Sequence, residues 1–92
     1  MIKDARFYFA NLGVDVGRLV SATMKNNDEN YNIALELTHR TLTYLRHAND
    51  PTMYERGLQL IRDFEQARED GRLSEFNDQL NELIAEYSPL AQ

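Results

Sequence analysis

Two pairs of residues near the middle of the chain have types and spacings that could support chemistry. The first is Glu36 and His39, whose separation of three residues puts a carboxylate and an imidazole on one side of a helix. Di-iron helical bundles use this Glu-x-x-His motif twice and add a carboxylate from each of two further helices. Here the motif occurs once, so we expect a solvent-exposed helix face, with a metal- or ligand-binding bundle as an alternative.

The second pair is Arg40 and His47, which are separated by six residues. A guanidinium binds phosphate, and an imidazole titrates near neutral pH and can therefore act in acid–base chemistry. This Arg-x6-His spacing resembles the short signature of the HEPN-type helical ribonucleases. That resemblance implies an enzyme that gathers Arg40 and His47 in a dimer cleft. The alternative is structural, with Glu36 and Arg40 forming an i,i+4 ion pair.

No further catalytic motif can be read from the sequence. It contains no glycine-rich phosphate loop, serine nucleophile elbow or Ser/His/Asp arrangement. The absence of cysteine excludes disulfides and thiolate metal sites, and it fits a reducing cytoplasm. We therefore expect a cytoplasmic protein that is not an enzyme and holds no cofactor and no metal.

The charge and hydropathy patterns predict protein partners instead of nucleic acid or membrane. The net charge is −5, whereas nucleic-acid surfaces are usually basic. No apolar run approaches the roughly 20 residues of a membrane span, and the first residues lack the apolar segment of a signal peptide. Residues 1–26 carry four basic and two acidic side chains, and residues 51–92 carry four basic and nine acidic ones. The acidic C-terminal half is either a set of solvated helix faces or a docking surface for a basic protein.

Apolar spacings of three and four residues predict four helices in one domain, residues 1–92. Their expected bounds are about 3–25, 29–48, 51–70 and 74–87. The second helix has Asn27 or Asp28 as its N-cap. The third begins either with Asp50 as N-cap and Pro51 as first helical residue, or with a capping box from Thr52 to Glu55, and it ends at Gly71 as C-cap. The fourth has Ser74 as its N-cap and stops at Ser88-Pro89. Because the breaks are short, we predict an antiparallel up-down four-helix bundle.

The second predicted helix has an apolar arc that is wide for a surface helix. On a helical wheel its apolar and threonine positions cover roughly 200°, whereas a surface helix needs little more than 100°. This width predicts a central helix with neighbours on most sides, and a second copy of the chain as one of them. We therefore expect a homodimer built mainly from the first two helices.

Glycines inside the first helix indicate a second contact surface. Gly13 and Gly17 each cost roughly 1 kcal/mol relative to alanine, so they either kink the helix or permit a close approach. We predict a continuous helix, with a second backbone close to Gly17. The candidate interface residues are the strip Phe7, Ala10, Val14, Gly17 and Ser21, together with Tyr8 and Tyr44, whose rings lie near the edges of their apolar arcs.

These observations together favour a small non-catalytic protein-interaction module. Adaptor, immunity, antitoxin-like and chaperone roles all fit a small acidic bundle with a surplus of apolar surface. The ribonuclease with Arg40 and His47 and the ligand- or metal-binding bundle are the alternatives.

Overall fold

Four helices make up almost all of the chain that is described by the computed structural model, residues 4–87. They are α1 (Ala5–Met24), α2 (Asp28–Arg46), α3 (Pro51–Asp70) and α4 (Leu73–Tyr87), and residues 4–87 contain no strand. The predicted all-α class with four helices is therefore confirmed. The radius of gyration is 12.7 Å, close to the value expected for a compact chain of this length.

Short polar side chains begin three of the helices. The carboxylate of Asp4 accepts a hydrogen bond from the backbone N–H of Phe7, and Asn27 and Asp50 cap α2 and α3 in the same way. Pro51 is the first residue of α3, as the sequence predicts, so the competing capping box at Thr52 does not begin this helix. Helix α3 ends at Gly71, whose φ of +70° is the left-handed conformation expected of a glycine C-cap.

Two predicted boundaries need correction, and two others lie outside the described residues. Helix α2 ends two residues early, because His47 is its C-cap and Asn49 takes a positive φ of 58°. Helix α4 begins at Leu73, so Ser74 lies inside its first turn and is not the N-cap. The predicted start at Lys3 and the predicted stop at Ser88-Pro89 lie outside the described residues.

Helix α1 is the centre of the structure. It packs against all three other helices, whereas α2 and α4 flank it and make no contact with each other within residues 4–87. Nine of its 20 residues are buried, and it runs without a break through both glycines, which confirms the predicted continuous helix. The prediction that α2 is a central helix is wrong, since only Ala34, Thr38 and Leu45 of its 19 residues are buried.

The closest approaches between helices occur at glycines other than the predicted one. A Cβ added at Gly13 would lie 2.9 Å from Cγ1 of Ile84, and one added at Gly57 would lie 2.8 Å from Leu45 and 2.9 Å from Leu12. At Gly17 the nearest atom would be Cδ2 of Leu80 at 3.7 Å, an ordinary contact. The predicted close approach at Gly17 is therefore wrong within the chain, because α4 approaches α1 one turn earlier, at Gly13.

Candidate protein-binding face

The two residue pairs that could support chemistry according to the sequence lie on the exposed surface of α2. Arg40 and His47 are both exposed, about 10 Å apart along the axis of α2, and His47 is the C-cap of that helix. Glu36 and His39 are exposed as well. The expected ion pair between Glu36 and Arg40 is not formed, since the ion pair within residues 4–87 joins Arg18 and Asp15. Over the same range no cluster of three or more His, Asp or Glu side chains could hold a metal ion.

A buried carboxylate joins α1 to α2. Asp15 is only 6% exposed, and its Oδ2 accepts a hydrogen bond of 2.6 Å from the hydroxyl of Thr41. Its Oδ1 accepts a weaker one of 3.4 Å from the guanidinium of Arg18. A buried charge is costly unless it is hydrogen-bonded, so this contact sets how α1 and α2 align. Both carboxylate oxygens are occupied, which makes Asp15 a structural residue.

Cationic and aromatic side chains join the start of α1 to α3 and to the end of α4. Arg56 donates a hydrogen bond of 2.6 Å to the hydroxyl of Tyr87, and Arg6 lies over the same ring at 4.8 Å from its centroid. The ring of Phe9 packs edge-on against Tyr87, with centroids 4.9 Å apart. These contacts use both guanidiniums in packing, where each cation–π pair contributes about 0.5–2 kcal/mol.

An apolar surface extends over the outer sides of α1 and α2. On α1, Asp15 contacts α2 and Gly13 contacts α4, and these two residues lie on opposite sides of the helix. The strip of α1 that runs between these two sides and contains Val14 therefore faces away from α3. Val14 on this strip is 39% exposed, and on α2 Ile33 and Tyr44 are 52% and 50% exposed. We name this surface the α1–α2 face and define it by Phe7, Ala10, Val14, Gly17, Ser21, Ile33, Leu37 and Tyr44.

Aromatic rings form one end of the α1–α2 face. The rings of Tyr8 and Tyr44 lie 5.6 Å apart, and Phe7 packs edge-on against Tyr8 at 5.4 Å. The structure therefore brings together the two tyrosines that the sequence selects as interface candidates. Tyr8 is half-buried against the core, whereas half of the Tyr44 side chain is exposed. Rings of this kind are favoured at interfaces because they bury a large area and keep a polar tip in water.

A cavity forms the other end of the face. It has a volume of about 240 Å³ and lies between the second half of α1 and the first half of α2. Small residues, Ala22 and Ala34, leave the space open, and Arg18 and Lys25 supply positive charge at its border. The complete lining consists of Arg18, Ser21, Ala22, Lys25, Asn30, Ile33, Ala34 and Leu37. An apolar side chain flanked by negative charge fits such a cavity.

The sequence-based candidates and the structure agree on α1 and differ on α2. Ala10, Val14, Gly17 and Ser21 do share one outward strip, half-buried or exposed. Sequence reasoning missed Ile33 as a surface residue, although its place at the edge of the wide apolar arc was the available signal. It also missed the contact of Asp15 with Thr41, because nothing local links residues 26 positions apart.

Comparison with known proteins gives no relative: no family model, no curated protein and no solved structure matches this chain. No helix within residues 4–87 is both long enough and apolar enough to cross a membrane.

Proposed function

We propose that this chain is a non-catalytic, cytoplasmic protein-interaction module that forms a homodimer through the α1–α2 face. The observation that carries the proposal is the grouping of Val14, Ile33 and Tyr44, three large apolar side chains, on one outward surface. Complete burial of such a side chain contributes about 1.5–3 kcal/mol. A chain of 92 residues buries little more than about 60% of its surface by folding alone, so association adds burial that the monomer lacks.

The arrangement of the helices in this proposal is an antiparallel up-down-up-down bundle. Contacts between α1 and α2 support it, since Tyr8 meets Tyr44 while Ala22 shares the cavity with Ala34. Contacts of α1 with α4 run in the same reversed order, from Phe9 with Tyr87 to Gly17 with Leu80. Within this arrangement α3 covers one side of α1 and leaves the opposite side, the α1–α2 face, open.

A pair of surface variants tests the proposal. The double variant Ile33→Ser with Tyr44→Ser removes apolar area from the face, and His39→Ser with Thr43→Ser changes exposed residues of α2 outside it. Gel filtration with light scattering should give a mass near the 10.7 kDa of one chain for the first variant and twice that for the second. Both should keep a helical circular dichroism spectrum. A face variant that stays dimeric would contradict the proposal.

The ribonuclease alternative predicts that the chain cleaves RNA and that this activity depends on Arg40 and His47. Arg40 and His47 make no hydrogen bond or ion pair through their side chains within residues 4–87, which supports a non-catalytic role. The variants Arg40→Ala and His47→Ala should therefore fold and dimerise as the unmodified chain does. Neither the unmodified chain nor these variants should cleave RNA. Cleavage that is lost in both variants would establish the alternative.

The exposed carboxylates of α3 and α4 support a second surface, one that docks a basic protein. Side chains such as Glu69, Asp78 and Glu82 are exposed and form no ion pair within residues 4–87. Unpaired surface charges of one sign steer an oppositely charged partner and accelerate its association. In this reading the module forms a dimer through one side and offers an acidic side to its target, as an adaptor, immunity, antitoxin-like or chaperone protein would.

A further inference from the structure

We draw no further inference here: the strongest candidate, the cavity of about 240 Å³ between the second half of α1 and the first half of α2, belongs to the α1–α2 face already described, and nothing in the structure shows what would occupy it.

Discussion

Helices α1 and α2 differ in how many of their residues are buried, and only α1 is central in the structure. Helix α1 contains two glycines, which are unfavourable inside a helix, yet it contacts every other helix and has nine buried residues. Helix α2 has the widest apolar arc, yet only three of its residues are buried. The difference shows that a helix becomes central when neighbouring helices can approach it closely, and that a large apolar content alone is not sufficient. At Gly13 the absence of a side chain lets Ile84 of α4 approach, while α2 approaches from the opposite side of α1. The surplus apolar surface of α2 is left on the outside.

Core truncation should give the largest effect and show the contrast between α1 and α2 most clearly. Leu12→Ala in α1 removes a side chain with no exposed surface, so the free energy of unfolding should fall by about 2–5 kcal/mol. Leu35→Ala removes a half-buried side chain of α2 outside the α1–α2 face, and its cost should stay below about 1.5 kcal/mol. Urea denaturation followed by circular dichroism measures both. Equal losses would mean that α2 is as central as α1.

The polar contact between α1 and α2 should give the next largest effect. Thr41→Val removes the hydroxyl that donates to Asp15, and a buried carboxylate that loses a donor costs about 1–3 kcal/mol. Thr43→Val is the matched control, because the exposed Thr43 hydroxyl donates to the carbonyl of His39 in its own helix. The same urea series should leave the control within about 0.5 kcal/mol of the unmodified chain. If both variants are neutral, Asp15 does not hold α1 against α2.

A pair of glycine variants tests where neighbouring helices approach a glycine closely. Gly57→Ala places a methyl group within 3 Å of two fully buried leucines, so overpacking of about 1–3 kcal/mol should exceed the roughly 1 kcal/mol gained in helix propensity. Gly17→Ala meets only an ordinary contact and should keep most of that gain. Thermal unfolding should therefore show a lower melting temperature for Gly57→Ala and an equal or higher one for Gly17→Ala. The reverse order would mean that the close approaches lie elsewhere.

Neutralising the acidic surface should have the smallest effect on folding and a large one on binding. Changing Glu75, Asp78, Glu82 and Glu86 to glutamine or asparagine removes exposed charges that each contribute well under about 1 kcal/mol. The variant should keep its helical spectrum and its dimer. A partner that a pull-down recovers with the unmodified chain should bind the variant weakly, and should also bind less well as salt shortens the Debye length below about 8 Å. Equal binding of the variant at low salt would show that the acidic surface only aids solubility.

The elements that local chemistry determines could be predicted from the sequence. Helix α3 has the predicted bounds because Asp50-Pro51 and Gly71 each favour one backbone conformation, whatever surrounds them. The strip from Ala10 to Ser21 was likewise readable, since helical periodicity alone puts those residues on one side. The start of α4 was missed, because a serine cap is a weaker signal than a proline or a glycine.

The features that depend on neighbouring helices could not be predicted in this way. A helical wheel gives the width of the apolar arc of α2, but it cannot say which part of that arc meets α1 and which part, at Ile33 and Tyr44, stays outside. The sequence likewise marks Gly17 and Gly57 only as glycines inside helices. Their different surroundings depend on which side chains, Leu80 or the pair Leu12 and Leu45, arrive from other helices.

The central claim, that the exposed part of the α2 arc and the outer strip of α1 together form a self-association surface, is tested most directly by sedimentation equilibrium of the unmodified chain. Measured over a series of micromolar concentrations at moderate salt, the account predicts a mass approaching twice 10.7 kDa as the concentration rises. A mass of 10.7 kDa at every concentration would contradict it and would leave Val14, Ile33 and Tyr44 as exposed apolar residues without a second copy to cover them.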